Sequence, residues 1–199
     1  MVQAHAQELR GSWVRFRWDL VQASLPTIPP ANTTIGRADP ESAAVILEVV
    51  TAAYASDPVW EEMLPAITAR MRSRIAETIS DASCEYITLS KDGALLGVSG
   101  IADAHWTGQN LLTGICIRPE FQRQRFGTFL LGYSLHRLRA RGLKEAVVYT
   151  ENGSLADRKI YPLFGGVRQS NVEYPGAGQR PPNAPRPSQS QPETEAIRE

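Results

Sequence analysis

The sequence predicts a single domain of the α/β (α+β) class, built on a mixed sheet. Runs with strand periodicity and runs with helix periodicity alternate along the chain. Lys91-Asp92-Gly93 carries the Asp-Gly signal of a tight hairpin, so the strands on either side of it are antiparallel. Farther on, a strand, a helix and another strand follow in an order typical of a crossover connection.

The length and composition fit one domain, possibly with tails. The chain has 199 residues, 42% of them hydrophobic, and no formal net charge, so nothing in the whole chain favours nucleic acid or an anionic membrane as a partner. The two cysteines are far apart and form no CxxC pair, which favours a reduced, cytoplasmic compartment. The three histidines lack metal-ligand spacing, and no apolar run is long enough to span a bilayer. We therefore predict no metal and no membrane.

Residues 1–32 are interpreted as an N-terminal extension. Trp13, Phe16 and Trp18 lie close together in it, and three such aromatic residues rarely stay fully solvated. We expect this stretch to pack on the domain. Three prolines before Asn32 then break any regular structure.

Two helices follow a first strand at Thr33–Arg37. Asp39-Pro40-Glu41 has the N-cap acid, the first-turn proline and the second acid of a helix start. Apolar residues at helical spacing continue this helix to Ala53, and Asp57-Pro58 interrupts it. A second helix is predicted over about Ala66 to Ile79.

The second half is predicted to alternate strands and helices. Apolar runs predict four strands, at Tyr86–Ser90, Ala94–Ile101, Leu111–Ile117 and Glu145–Thr150. A helix over Phe126–Arg141 separates the last two strands, and Gly142 has the position of a C′ glycine. A short helix is expected near Leu155–Leu163.

Residues 175–199 differ in composition from the rest. They contain one isolated aliphatic residue, Ile197, and no aromatic residue after Tyr174. Such a segment buries too little apolar surface to offset the entropy of ordering it, so we predict a disordered, proline-rich tail.

The strand–loop–helix at Ile115–Leu131 is the strongest functional signal. The first N–H groups of a helix have no acceptor within the helix, and the helix dipole adds positive charge there. Arg123 and Arg125 add two cations at the same place. A phosphate or pyrophosphate is the expected ligand, which favours a nucleotide-type cofactor. For the basic residues from Arg137 to Lys144, a solvated helix face is the simpler interpretation.

Two motifs resemble the GNAT superfamily of N-acetyltransferases. Residues 122–127 are similar to its acyl-CoA-binding motif, which is Gln or Arg, two residues of any type, Gly, one of any type, then Gly or Ala. Gln122 and Gly127 match, whereas Arg125 stands where the family has its first glycine. Residues 160–165 are similar to the family's Leu-Tyr-x-x-Leu/Phe-Gly, and Gly166 follows where an aromatic residue is usual.

The resemblance extends over about 33–172 and supplies an arrangement for the predicted elements. It implies a GNAT-like mixed, mostly antiparallel central sheet flanked by helices, with the acyltransferase domain at 33–174. The family usually has a further strand near the end of the chain, and residues after Pro175 contain no such pattern. Either this strand is missing, or the N-terminal extension or a second subunit of a homodimer replaces it.

Acetyl-CoA is the co-substrate that the resemblance implies. Carried over, the residues that line the pantetheine arm are Ile115, Cys116 and Ile117. Those that surround the phosphates are Gln122, Arg123, Gln124, Arg125, Phe126, Gly127 and Thr128. We expect Arg125 to have a right-handed backbone and to clamp a phosphate. The alternative is that the position needs the dihedral angles of glycine, in which case the loop is distorted and binding is weak.

Tyr161 is the candidate catalytic residue. In many members the tyrosine at this position donates a proton to the departing CoA thiolate, and a phenol is mostly protonated at neutral pH. The alternative is a half-buried tyrosine that stacks on the core. No acid lies between Asn110 and Ile117 to serve as a base, and Asp103 and His105 are weak alternatives.

Residues 55–65 fall where members of the family often contact the acceptor, so the resemblance implies an acceptor side there. Asp57, Glu61 and Glu62 could attract a cationic amine, with Trp60 covering it, or they could be a capped helix start with surface acids. Cys116 beside a thioester would allow a covalent mechanism. Strand cysteines more often belong to the core.

The sequence thus predicts an acyl-CoA-dependent N-acyltransferase that transfers acetyl to a primary amine of a small molecule or peptide by direct attack. The rival interpretation is a catalytically degenerate member that binds a ligand or partner. Arg125, the absent strand acid and the missing terminal strand favour this rival. A nucleic-acid-binding module is disfavoured by the neutral charge.

Overall fold

The computed structural model describes residues 12–26 and 28–175. These residues contain seven strands and three α-helices. In chain order they are β1 Trp13–Asp19, β2 Thr33–Arg37, α1 Ala43–Ala55, α2 Leu64–Thr78, β3 Cys84–Lys91, β4 Ala94–Ala102, β5 Cys116–Ile117, α3 Phe126–Ala140, β6 Glu145–Glu151 and β7 Val167–Val172. The strands form two antiparallel sheets, ordered β2-β3-β4-β5 and β6-β1-β7. The predicted α+β class is confirmed.

Local sequence signals set the turns in the first half of the chain, as expected. The carboxylate of Asp39 accepts a hydrogen bond of 3.0 Å from the N–H of Ser42, which caps the short 3₁₀ turn that leads into α1. Asp92 and Gly93 both have positive φ, at 50° and 80°. A type I′ hairpin turn requires this of its two central residues, and the turn joins β3 to β4.

The N-terminal strand β1 lies in the middle of the second sheet. Phe16 pairs with Val148 of β6 on one side and with Arg168 of β7 on the other. Trp13, Phe16 and Trp18 are all at least 95% buried, so the expected packing of these aromatic residues is confirmed. The stretch interpreted as an extension therefore supplies the central strand of this sheet.

The segment after β1 crosses over α3. The guanidinium of Arg139 donates hydrogen bonds to the carbonyls of Leu20, at 3.4 Å, and Ala23, at 2.9 Å. The ring of Pro26 packs directly on Gly132 of α3, where a Cβ would overlap it. A glycine in this helix interior thus allows the chain to lie against the helix on its way to β2.

The two sheets are joined at Asn110. Its N–H donates to the carbonyl of Val147 at 2.8 Å, and its side-chain oxygen accepts from the N–H of Val147 at 3.0 Å. Beyond this link, β5 and β6 belong to different sheets. The continuous strand predicted over Leu111–Ile117 is wrong, because Gly114 has a φ of +70° and interrupts it.

Most of the buried apolar residues belong to two clusters, one that includes α3 and one that includes α1 and α2. Alternate residues of β3 face opposite ways, so Ile87 packs with α3 while Tyr86 packs with α1 and α2. The core between β3, β4 and α3 is closed by Phe16 and Trp18 of β1. The region where β5 and β6 separate therefore lies in a scaffold whose sheets are packed on both faces.

The last part of the described chain differs most from expectation. The short helix predicted near Leu155–Leu163 is a single π-helical segment, Ala156–Ile160, followed by a 3₁₀ turn at Leu163–Gly165. The strand β7 was not predicted. The tail predicted at 175–199 lies outside the described residues apart from Pro175. No helix in residues 12–26 and 28–175 is long and apolar enough to cross a membrane.

Candidate active site

A cleft of about 520 Å³ opens where β5 and β6 separate. Backbone and side chains from α1, β5, the loop before α3, β6 and the π-helical segment surround it. The lining residues are Ala53, Tyr54, Ser56, Asp57, Trp60, Thr113, Ile115, Cys116, Ile117, Gln122, Arg123, Arg125, Gly127, Thr128, Thr150, Leu155, Ala156, Lys159, Ile160 and Tyr161.

The loop before α3 forms one end of the cleft and is fixed by Gln122. The amide nitrogen of Gln122 donates to the carbonyl of Ile117 at 3.1 Å and to the hydroxyl of Ser56 at 2.8 Å. This side chain thus connects the loop to both β5 and the end of α1. Gln122 was predicted to surround the phosphates, and its side-chain amide instead holds the loop in place.

Arg125 has a left-handed backbone, so the expected right-handed conformation is wrong. Its φ is +65° and its ψ is 4°, and it is the N-cap residue of α3. Arg123 is also left-handed, with a φ of +61°. The loop reverses direction between a 3₁₀ turn and the helix, and it uses these two positions to do so. A Cβ in this region costs on the order of 1 kcal/mol.

Three cations line the cleft. They are Arg123, Arg125 and Lys159, and all three are exposed. The first N–H groups of α3 lack acceptors within the helix and add positive potential at the same place. Lys159 was not predicted, since it lies on the segment before Tyr161, far from the loop in sequence. A dianionic or polyanionic ligand suits this arrangement.

Two of the predicted cofactor residues do not line the cleft with their side chains. The amide of Gln124 donates to the carbonyl of Glu120 at 3.3 Å, and Phe126 is buried in the core. Gly127 does line it, and a Cβ there would meet Ile160 at 3.4 Å and Ile117 at 3.7 Å, which is ordinary contact. The chain brings together the remaining predicted residues, including the apolar Ile115–Ile117 segment.

Tyr161 lines the cleft with its hydroxyl beside Gly114. The residue is 3% exposed, and a Cβ placed on Gly114 would lie 2.6 Å from its hydroxyl oxygen. Burial raises the pKa of its phenol above the ordinary value, while a backbone hydrogen bond from Ile115 lowers it in part. The phenol is therefore protonated at neutral pH and beyond.

Tyr54 brings a second hydroxyl to the same place from the opposite side. Its hydroxyl donates to the carbonyl of Thr113 at 3.2 Å and lies 3.9 Å from the Cβ position of Gly114. Burial raises the pKa of Tyr54 well above its ordinary range. Sequence reasoning missed this residue, because a tyrosine at the end of an amphipathic helix gives no sign of which side it faces.

Cys116 lines the cleft as a thiol. Its sulfur donates to the carbonyl of Thr113 at 3.4 Å, and burial raises its pKa to about 12. A thiolate is the reactive form, so this cysteine is a poor nucleophile at neutral pH. Cys116 belongs to the core cluster beside α1 and α2, in agreement with the core interpretation.

The acidic residues expected at the acceptor side do not gather in the cleft. The carboxylate of Asp57 accepts from the N–H of Val59 at 3.4 Å and from the N–H of Leu155 at 2.6 Å. Glu61 and Glu62 are exposed and lie outside the lining. The alternative of a capped helix start with surface acids describes this loop. Trp60 does line the cleft, edge-to-face with Tyr54 at 4.8 Å.

The two weak candidates for a base lie outside the cleft. Asp103 forms an ion pair with Arg141 at 2.6 Å, and the ring nitrogen Nδ1 of His105 is 2.6 Å from the hydroxyl of Thr107. Neither residue lines the cavity. Within the described residues no group of three or more His, Cys, Asp or Glu side chains could hold a metal ion.

The fold is similar to solved structures of low sequence identity. A Drosophila protein matches with a TM-score of 0.55 and 12% identity, over 81% of this chain and 49% of its own. A GCN5-related N-acetyltransferase from Kribbella flavida matches with a TM-score of 0.51 and 12% identity, over 80% and 55%. A functionally unknown conserved protein from Staphylococcus epidermidis gives 0.51 and 15%, over 80% and 58%. This chain thus spans about half of their lengths.

The sequence itself matches a family model. No curated protein matches it, but the model of the acetyltransferase (GNAT) family matches residues 50–165, which is more than half of the chain. The match includes the cleft residues from Ala53 to Tyr161 and leaves out β1, β2 and β7. On this match, and on the cleft between β5 and β6, the chain belongs to the GNAT acetyltransferase family.

Proposed function

We propose that this protein is an acyl-CoA-dependent N-acyltransferase that transfers acetyl from acetyl-CoA to a primary amine by direct attack. One observation carries the proposal. A single cleft is lined by three cations and by a protonated phenol, that of Tyr161. An acyl-CoA needs both, since its phosphates are anionic and its thiolate must be protonated as it leaves.

The residues present fit this co-substrate. Arg123, Arg125 and Lys159 match the phosphates in charge, and the N-terminus of α3 faces the same place. The apolar Ile115–Ile117 segment suits the pantetheine arm. Gly114 allows the hydroxyl of Tyr161 to lie close to the backbone, since a Cβ at this position would be only 2.6 Å from the hydroxyl oxygen.

The chemistry asks two things of this chain. The co-substrate supplies a thioester, whose C–S bond breaks as the amine nitrogen forms the C–N bond and loses a proton. Tyr161 donates its proton to the leaving sulfur. The backbone of the Ile115–Ile117 segment helps to polarise the thioester carbonyl. The proton of the amine passes to solvent, because Asp57 is occupied by Leu155 and Val59.

The acceptor is proposed to be a primary amine of a small molecule or peptide. Tyr54 and Trp60 line the cleft, and their rings favour an apolar or aromatic acceptor over a polycation. Both cysteines are buried free thiols. This suits a reducing compartment, and we propose a cytoplasmic location.

A catalytically degenerate binding protein is the second candidate. The left-handed Arg125 in place of the motif glycine favours it, as does a cleft in which the one acidic side chain, Asp57, is bound by backbone N–H groups. Such a protein would bind acyl-CoA or a related ligand and would not turn it over.

Calorimetric titration with acetyl-CoA, followed by thiol release against a panel of amines, tests the proposal. Acetyl-CoA at ~100 times its dissociation constant should stabilise the fold by about 2.7 kcal/mol. Release of CoA that depends on one class of amine would support transfer. Binding without release with any amine would favour the second candidate. No binding of acetyl-CoA, CoA or longer acyl-CoAs at millimolar concentration would overturn both.

A further inference from the structure

We propose that Trp18 of the N-terminal strand β1 is a positioning residue that holds Tyr161 and the turn after it in the geometry needed for proton donation. This inference rests on the proposed function, since it concerns the residue to which that function assigns the proton. It assigns a role in the reaction to a strand that lies outside residues 50–165 matched by the family.

Trp18 binds the turn that follows Tyr161. Its indole N–H donates a hydrogen bond of 2.9 Å to the carbonyl of Leu163. The turn has left-handed backbone at Phe164 and Gly165, with φ of 58° and 79°. The same carbonyl also accepts a longer hydrogen bond of 3.3 Å from the N–H of Gly166 within the turn, so the shorter bond from the indole adds an anchor from outside the turn.

Trp18 also contacts the ring of Tyr161. The two rings lie edge-to-face with centroids 5.8 Å apart and planes at 84°. Phe16, two residues earlier on the same face of β1, lies 5.6 Å from the Tyr161 ring. The phenol is thus held at its ring by β1 while its hydroxyl points to Gly114. Shifting the ring would move the proton that the leaving group needs.

Gly166 shows how closely the turn approaches Trp18. A Cβ at Gly166 would overlap the carbonyl oxygen of Tyr161 and would lie 2.9 Å from the indole nitrogen of Trp18. The family usually has an aromatic side chain at this position. Here the indole of Trp18 lies beside the glycine, so an aromatic ring from β1 packs where the local sequence provides none.

The test replaces Trp18 by Phe, which keeps a ring and removes the N–H donor. The matched control is Val14→Ala, since Val14 is equally buried on the same strand and the same face. Trp18→Phe should lower kcat about tenfold, because a small displacement of a catalytic group has a large effect on rate. KM for acetyl-CoA should stay within about twofold, and Val14→Ala should leave kcat within about twofold of wild type.

Three further measurements separate positioning from a loss of fold. In the Tyr161→Phe background, Trp18→Phe should lower kcat no further, because it acts through the phenol. Gly166→Ala, which keeps the indole of Trp18 but places a methyl group against it and against the carbonyl of Tyr161, should lower kcat similarly. Independently of activity, amide hydrogen exchange at Tyr161–Gly166 should be faster in Trp18→Phe than in wild type or Val14→Ala.

The proposal is overturned by any of three results. These are kcat of Trp18→Phe within about twofold of wild type, an equal loss of kcat in both backgrounds, or unchanged exchange at Tyr161–Gly166. A wild-type protein without turnover would contradict the proposed function, and the exchange measurement would still decide whether Trp18 holds the turn.

Discussion

The carboxylate of Asp57 accepts a hydrogen bond of 2.6 Å from the backbone N–H of Leu155. The two residues lie on opposite sides of the cleft, one in the loop after α1 and the other at the start of the π-helical segment that leads to Tyr161. This bond therefore holds the loop after α1 to the π-helical segment at the cleft. It also engages the carboxylate that would otherwise be available to the amine acceptor proposed above.

Asp57→Ala should lower the free energy of unfolding by about 1–3 kcal/mol. The change removes the cap of the Pro58–Trp60 turn and leaves the N–H of Leu155 without its acceptor. Asp39→Ala is the control, because Asp39 caps an exposed turn and makes no such cross-cleft bond. Urea denaturation measures both. An equal loss in the two variants would show that the bond to Leu155 adds nothing.

Tyr161→Phe should lower turnover by roughly 10²-fold while acetyl-CoA affinity barely changes. Burial raises the pKa of this phenol above the value of about 10 that it has in the unfolded chain. The phenol therefore stays protonated above about pH 10. The kcat profile should therefore have no alkaline decline from Tyr161 below about pH 10. Tyr133→Phe, on α3 away from the cleft, is the control for loss of a hydroxyl. Turnover of Tyr161→Phe close to wild type would assign the residue to packing.

Arg125→Gly should have opposite effects on stability and on binding. Glycine relieves the strain of the left-handed backbone and should stabilise the fold by roughly 0.5–1 kcal/mol. Loss of the guanidinium should weaken CoA binding by roughly tenfold or more, and less so at high salt.

Arg125→Ala serves as the matched control. It removes the same charge and keeps the strain, so it should weaken binding similarly without the gain in stability. Calorimetric titration with CoA and thermal melting of all three proteins measure both effects. Tighter binding by the glycine variant than by wild type would show that arginine obstructs the loop.

Shortening the chain should reveal a sharp boundary at Tyr174. The ring of Tyr174 stacks on Trp13 at 4.2 Å, and its hydroxyl accepts a hydrogen bond of 2.9 Å from Arg74. A chain that ends at Pro175 should keep the melting temperature and the CoA affinity of the full chain. A chain that ends at Val172 should lose about 3–5 kcal/mol, the usual effect of removing a large buried aromatic side chain. A large loss on ending at Pro175 would contradict this prediction.

Alkaline pH should destabilise the protein partly through Cys116. Burial raises the pKa of this thiol to about 12, whereas an unfolded thiol titrates near 8.5. Stability from the buried neutral thiol is fully present below about pH 8.5, and it is lost as pH rises toward 12, at up to about 1.4 kcal/mol per pH unit.

Cys116→Ala should therefore flatten the decline in stability between pH 8.5 and 10. Val98→Ala is the matched control, because Val98 pairs with Cys116 across β4 and β5 and is also buried but does not titrate. Denaturant melts over this pH range compare the slopes. Parallel slopes for Cys116→Ala and wild type would show that the thiol does not contribute.

Much of the fold could be predicted because its signals are local. Asp39 caps a turn, Asp92-Gly93 forms a hairpin, and apolar spacing marks α3, all within a few residues. The strand β7 could not be predicted in this way. Its residues are polar and mostly exposed, since it is an edge strand that pairs with β1 alone. Only the distant β1 explains why this stretch is extended.

The candidate site likewise has some residues that local sequence signals locate and others that they do not. The loop Gln122–Thr128 follows a strand and starts a helix, so sequence spacing locates it. Tyr54 and Lys159 enter the cleft from elements far away in sequence, and only the packing of α1 and the π-helical segment brings them there. The backbone conformation of Arg125 could not be predicted from the sequence either, because arginine rarely adopts a left-handed backbone.

The central position of β1 has a consequence for the order in which the protein can be made. Trp13 pairs with Glu151 and with Val172, so residues that leave the ribosome early have no partners until the last strands have followed them. Contacts of such long sequence separation form slowly. Until then a strand that carries Trp13, Phe16 and Trp18 has not yet formed its sheet, which makes aggregation the competing fate of the nascent chain.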